Sequence, residues 1–240
     1  MRILGLLILM GLSSCSKDSD PIVATRANIS GSVNLYDEGT TPSDKSGMTV
    51  SVVGLTPAVS SVTDSDGKFL LADVPFGTYT LSYAKAGYGT YQKPSVVHSN
   101  TGTSTVITST PSLGKVSTTQ VTLAEVRTSG SDIILSATTN PAGSSGNRRY
   151  IRFFLSNSAS VSKDNYSYVS PAFVAQINPF ETTLTAANLS SWGFASGQTV
   201  YIKVYGDSFW SNEYEDAGLG RKVFPNLNAT ASNTVSFLVP

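Results

Sequence analysis

Apolar and polar side chains alternate with a period of two along one short run after another, and turn residues separate the runs. Met48-Thr49-Val50-Ser51-Val52-Val53 and Thr199-Val200-Tyr201-Ile202-Lys203-Val204 show the pattern. In an extended chain successive side chains point to opposite faces, so each such run is a strand with one buried face. No segment sustains the apolar period of a helix, and only residues 185–192 read as a helical turn. β-Branched and aromatic residues dominate the apolar set, which favours strands joined by turns. The chain is therefore expected to be all-β. Past the first fourteen residues its length suits one large or two small domains, and pattern favours two tandem β-sandwiches.

The first is expected over residues 26–113. Asn28-Ile29-Ser30-Gly31-Ser32-Val33 opens it as a strand, a polar loop covers 37–47, and the alternating strand at 48–53 follows. Asp64-Ser65-Asp66-Gly67 stands between strand-like runs, which is a hairpin signal because glycine supplies the positive φ of a tight turn. Tyr79, Leu81 and Tyr83 share one face of the next strand, and Val96-Val97 and Thr105-Val106-Ile107 complete the sandwich. Asp64 also looks like the start of a calcium loop, but the twelfth position, where an EF-hand needs a carboxylate, is Pro75. A plain turn is the better reading, and no metal site is expected.

In combination, the Gly-x-Val and Val-x-Val strands, Thr63-Asp64-Ser65-Asp66-Gly67-Lys68-Phe69, Val74-Pro75-Phe76-Gly77-Thr78-Tyr79-Thr80-Leu81 and Ala86-Gly87-Tyr88 resemble the carboxypeptidase regulatory-like domain. The resemblance covers most of residues 27–110. It implies a prealbumin-like β-sandwich without catalytic residues, of a kind common at the start of bacterial cell-surface proteins.

A Ser/Thr-rich connection around 99–119 leads to the second sandwich, expected over 114–240, with strands near 121–126, 132–138, 150–156, 172–177, 199–205 and 233–239. Regular short strands with turns between them are an immunoglobulin-like pattern. Ile133, Leu135 and Ala137 point one way, while Tyr150, Arg152 and Phe154 point opposite to Ile151, Phe153 and Leu155. Leu189, Gly197 and Tyr201 resemble the corner of fibronectin type III domains, where a tyrosine hydroxyl ties a loop to its strand.

Arg2, the uncharged run 3–10 and the small residues before Cys15 follow the order of an export signal. That apolar run is too short to span a bilayer, which takes roughly 20 residues in a helix. Leu12-Ser13-Ser14-Cys15 resembles the bacterial lipobox, which implies removal of residues 1–14 and lipidation of Cys15. A single cysteine fits acylation better than the paired cysteines of exported disulfide proteins. Ser16-Lys17-Asp18-Ser19-Asp20 resembles the acidic signal that sends lipoproteins of Bacteroidetes-type bacteria to the outer face of the outer membrane, and residues 15–25 read as a flexible tether. The expected location is the outer membrane, cell-surface exposed, with the periplasmic face as the alternative.

A net charge of zero with 13% charged residues lacks the footprint of nucleic-acid binding. His98, the one histidine, sits in a polar segment and reads as solvated surface. No nucleophile elbow, phosphate loop or dinucleotide fingerprint is present, so no catalytic residue and no cofactor is expected. Glu213, Glu215 and Asp216 lie on one loop, read as mobile, and do not face each other across a cleft as glycoside hydrolysis requires.

That loop, 207–216, is the expected binding element. Phe209, Trp210 and Tyr214 stand among polar and acidic residues, which suits sugar rings and also suits protein partners. A third reading folds Phe209 and Trp210 back over the end of the sandwich. Two functions stay open: a lipid-anchored, non-catalytic surface module that binds glycan or a cell-surface protein, and a structural lipoprotein packed on an outer-membrane protein.

Overall fold

The computed structural model describes residues 24–240, so the leader, Cys15 and most of the tether lie outside the described residues. The chain forms two tandem β-sandwiches. The first comprises β1 (Arg26–Ser32), β2 (Asn34–Leu35), β3 (Thr49–Val52), β4 (Ser60–Val62), β5 (Lys68–Pro75), β6 (Gly77–Ala84), β7 (Tyr91–His98), β8 (Thr105–Val106) and β9 (Ser112–Leu113). One sheet has the order β5-β1-β8 and the facing sheet β4-β3-β6-β7, while β2 and β9 pair in parallel. Alternation decides what lies between the sheets: Ile29, Val50, Leu71, Leu81 and Tyr83 are fully buried.

Two local expectations change here. The Asp64 turn forms, with Asp64 Oδ1 accepting the amides of Asp66 and Lys68 at 2.9 Å each. Gly67 has φ +81°, and a Cβ there would lie 2.2 Å from the Val33 carbonyl. The strands on either side do not make a hairpin, because β4 pairs with β3 and β5 pairs with β1. The turn is thus an arch that carries the chain from one sheet to the other. His98 is not solvated: it is 1% exposed, its Nδ1 lies 2.7 Å from Thr105 Oγ1, and its Nε2 lies 3.1 Å from the Val74 carbonyl. Its ring packs on Phe76, so this histidine fastens three strand segments together.

The second sandwich comprises β10 (Gln120–Ser129), β11 (Asp132–Asn140), β12 (Arg149–Ser156), β13 (Tyr168–Val169), β14 (Phe173–Ala175), β15 (Phe180–Leu184), α1 (Ala186–Ser191), β16 (Thr199–Asp207), β17 (Tyr214–Asp216), β18 (Arg221–Val223) and β19 (Val235–Leu238). The sheet β10-β11-β15 faces β13-β12-β16-β19, with β14 also on β12, as in an immunoglobulin-like sandwich. Ile133 and Leu135 of β11, Ile151 and Leu155 of β12, and Val200, Ile202 and Val204 of β16 meet in its core.

The expected helical turn is α1. Thr185 caps it by accepting the Asn188 amide at 3.1 Å, and Asn188 Oδ1 in return accepts the Thr185 amide. The expected tyrosine corner is absent among the described residues. Tyr201 points to the outer side of its sheet, and the corner is closed by Gln198, whose Oε1 accepts the Ala195 amide at 2.9 Å.

Candidate functional site at the joint of the two sandwiches

In a two-sheet sandwich the outer face of each sheet normally meets water, yet β12 is almost wholly buried on both faces. The cause is residues 208–234, a long excursion between β16 and β19 that folds back over the outer face of β12 and β16. Phe154, Tyr205, Phe224, Leu227 and Val161 form a second, smaller core beneath it. The alternation of Tyr150, Arg152 and Phe154 against Ile151, Phe153 and Leu155 therefore serves two cores at once.

Arg152 lies under this excursion at 5% side-chain exposure, and its charge is fully matched. Nε meets Asp207 at 2.7 Å, Nη2 meets Glu213 at 2.9 Å, and Nη1 donates to the Ser170 carbonyl at 2.9 Å. The guanidinium also lies 4.6 Å from the centre of the Phe224 ring. Burial pushes the Asp207 carboxyl up, against the pull of Arg152 and the Ser208 amide. Burial also opposes ionisation of Glu213, but Lys222 and Arg152 outweigh it and hold that carboxyl below its ordinary range. Glu213 is thus fixed in place, which corrects the reading of the acidic loop as mobile.

From this platform the excursion reaches the first sandwich. Asn212 is 5% exposed and Asn226 fully buried. Asn226 Oδ1 accepts the Gly89 amide at 3.0 Å, and its Nδ2 donates to the carbonyls of Gly114 at 2.9 Å and Trp210 at 2.7 Å. Asn212 Oδ1 accepts the Gly114 amide at 2.8 Å, and its Nδ2 lies 3.0 Å from the Gly89 carbonyl and 3.0 Å from Asn226 Oδ1. Gly89 allows this approach, since a Cβ there would lie 2.4 Å from the Pro225 carbonyl. The Phe209 amide donates to the Glu38 carbonyl at 2.9 Å, and Ser208 Oγ donates to the Lys115 carbonyl. The Ser/Thr-rich connection is part of the joint, with Gly114, Ser117 and Thr119 buried in it.

The three aromatics of the loop occupy different surroundings. Trp210 is half-buried and stacks on Tyr36 of the first sandwich, with ring centres 5.0 Å apart. Tyr214 meets Tyr91 of the first sandwich edge to face at 6.1 Å. Phe209 remains 43% exposed and touches Tyr150 edge-on at 5.8 Å. The structure thus brings all three to the joint, but only Phe209 turns an aromatic face outward. Sequence reasoning missed Asn212, Asn226, Arg152 and Asp207. Arg152 carried a signal, as a lone charge inside the otherwise aromatic and aliphatic run 150–155.

Beside Phe209 and Tyr150 an open cleft of about 540 Å³ runs between the sandwiches. Asp37, Glu38 and Thr40 line it from the first sandwich, Lys115 from the connection, and Arg148 and Arg149 from the second sandwich. Burial raises the Tyr150 hydroxyl above its ordinary range, with Arg148 pulling the other way. The cleft offers hydroxyl, amide and guanidinium groups on its two walls, and the buried Tyr150 is the one aromatic residue that lines it. Among the described residues no group of three or more His, Cys, Asp or Glu side chains is placed to hold a metal ion.

No family model matches this chain, and no curated protein sequence matches it. Among solved structures it is similar to a candidate carbohydrate binding protein from Bacteroides uniformis, at 14% identity over 88% of this chain and 98% of that one, with a TM-score of 0.32. A DUF3823 family protein from Parabacteroides merdae is similar at 13% identity over 89% of this chain and 99% of that one, TM-score 0.28. A chain of a type II cohesin–X-dockerin complex from Acetivibrio cellulolyticus shows 32% identity over 38% of this chain, TM-score 0.31, and the match spans 58% of that chain's own length. At TM-scores near 0.3, none of these likenesses assigns the chain to a family.

Proposed function

We propose that this chain is a lipid-anchored, non-catalytic binding module at the bacterial outer-membrane surface, and that it contacts saccharide at the joint of its two sandwiches. The observation that carries the reading is the cleft itself, a polar groove lined in part by Tyr150, against which the exposed Phe209 ring packs edge-on, held in shape by the buried asparagine network. Flat aromatic faces suit the C–H faces of sugar rings, while the hydroxyls and amides of the wall suit their hydroxyls. A largely preformed concave site of this kind loses little ordering entropy on binding. The N-terminal sequence supports the anchor: Cys15 is the one cysteine and stands at the end of a lipobox-like segment.

Affinity electrophoresis of the detergent-released mature protein through gels containing neutral and acidic polysaccharides tests the binding. Phe209→Ala is the appropriate variant, because its ring is exposed, whereas Trp210→Ala would also damage the joint. An aromatic contact worth roughly 0.5–1.5 kcal/mol predicts a loss of up to about tenfold in affinity. Absence of retardation by every polysaccharide, or a folded Phe209→Ala protein retarded like the parent, overturns the reading. For the anchor, Cys15→Ser protein leaves the membrane fraction and loses lipid label; retention in the membrane refutes that part.

A further inference from the structure

We propose that the interdomain cleft is selective for acidic polysaccharide, taking a sugar carboxylate on Arg148, Arg149 and Lys115; this rests on the saccharide reading above. The argument begins with the charges that line the cleft. Its two acids accept hydrogen bonds from neutral donors and keep their charge, so Lys115, Arg148 and Arg149 leave the lining positive by one charge. Asp37 Oδ1 accepts the amides of Gly39 at 2.7 Å and Thr41 at 3.1 Å, and the Glu38 carboxylate accepts the hydroxyls of Thr118 at 2.5 Å and Ser117 at 3.4 Å. Among the described residues none of the three cations has a carboxylate oxygen within 4.0 Å, although most other arginines of the chain do.

Of the three cations Arg149 is the most enclosed, half-buried where Lys115 and Arg148 are exposed. Its Nε is shielded from solvent and has no hydrogen-bond acceptor among the described residues. Leaving a buried donor unpaired costs about 1–3 kcal/mol, and more for a charged group. That Nε is closed to a ligand as it is to water, so an anion in the cleft meets only the terminal nitrogens of the guanidinium. Guanidinium groups match carboxylates with two parallel hydrogen bonds, and both Arg148 and Arg149 line the cleft.

The rest of the lining favours a saccharide as the carrier of that carboxylate. The centre of a protein interface is typically apolar and poor in charge. This cleft instead presents Thr40, Thr41, Ser145 and Asn147, which are hydroxyl and amide partners for sugar hydroxyls.

The test is affinity electrophoresis in calcium-free buffer with polygalacturonate, alginate and hyaluronate, set against fully methyl-esterified polygalacturonate and poly-glutamate. Retardation by at least one acidic polysaccharide is expected, weakening as salt rises, weaker by tenfold or more in the Arg148→Gln/Arg149→Gln protein, and much reduced on the esterified polymer. The single variant Arg148→Gln, at an exposed position, should give an intermediate loss and guards against misfolding of the double variant. Equal retardation on esterified and free polymer, sensitive to Phe209→Ala, overturns this inference and leaves the saccharide reading standing. Retardation by poly-glutamate equal to that by the best polysaccharide overturns the choice of saccharide. No retardation on any polysaccharide overturns both.

Discussion

Replacing Asn226 by alanine tests the joint directly, and its cost follows from the geometry. The side chain is fully buried and takes part in four hydrogen bonds, with Gly89, Asn212, Gly114 and Trp210. Two of the four partners keep other contacts after truncation. The Gly114 carbonyl retains Asn212 Nδ2 at 3.1 Å, and Asn212 Nδ2 retains the Gly89 carbonyl at 3.0 Å. The Gly89 amide and the Trp210 carbonyl have no replacement, so two buried groups are orphaned. At about 1–3 kcal/mol each, the variant loses about 2–6 kcal/mol, a large part of the 5–15 kcal/mol that holds a typical domain. Urea denaturation should show this as a fall in midpoint of about 1 M or more, for an m-value of about 2–3 kcal/mol/M. Because the lost bonds lie between the sandwiches, the change should first separate them. In a Trp192→Phe background, where Trp210 is the one tryptophan, its emission should then shift at lower urea than the far-UV circular dichroism, since it stacks on Tyr36 across the joint. Asn228→Ala, which loses a bond to the Ser117 carbonyl and one from the exposed Thr230 amide, is the control and should shift far less. A midpoint within about 0.2 M of the parent, with both signals still coincident, would refute the claim that these asparagines hold the joint.

Two further outcomes concern the charged cluster beneath the excursion. Arg152→Met leaves Asp207 fully buried without its partner and should cost about 3–5 kcal/mol, with Arg152→Met/Asp207→Asn recovering at least half of the loss in the same urea assay. No recovery in the double variant would mean that the pair matters by shape and not by charge. Glu213→Gln should destabilise at neutral pH and converge with the parent in acid. Its carboxyl is held below the ordinary value of 4.5, so the ionised form contributes stability that is complete above that value and lost as pH falls through the folded one. Asp207 has the opposite sign, since its raised carboxyl is protonated more readily in the folded protein, and because the Glu213 charge adds to that rise, Glu213→Gln relieves a part of it. Thermal melts between about pH 3 and pH 7 check this, and a difference that persists undiminished at the acid end refutes it.

What could be read from the sequence was what depends on neighbours along the chain. The period of two in 199–204 gave the buried face of β16, and the helical turn read over 185–192 forms as α1. Pairing partners were not legible in the same way. The Asp64-Gly67 segment forms the same tight turn whether the strands beside it pair with each other or part into two sheets, because the φ of Gly67 and the Asp64 cap are local to the turn. His98 reads as surface among polar neighbours, and its burial depends on Thr105 and on Val74, a residue 24 positions away.

The loop 207–216 shows the same division within one segment. Its aromatics and acids read alike from sequence, as residues set in a polar run and open to a ligand. What distinguishes them lies across the joint: Tyr36 takes Trp210, Tyr91 takes Tyr214, and Arg152 with Lys222 takes Glu213. Asn212 carries the turn-like φ of +54° that its residue type suggests, but its amide is spent on Gly89 and Gly114. Most of the loop is thereby committed to holding the sandwiches together, and the commitment itself fixes where the remaining group stands. Phe209 is pinned by its amide to the Glu38 carbonyl, and its ring is left exposed against Tyr150, a residue of the cleft lining. A binding defect in a Trp210 variant would therefore not separate a lost contact from a loosened joint. In a Phe209 variant the joint keeps its asparagine contacts and the Trp210–Tyr36 stack and loses the edge contact of Phe209 on Trp210 at 5.1 Å, so a binding defect at an unchanged urea midpoint reports on the ligand.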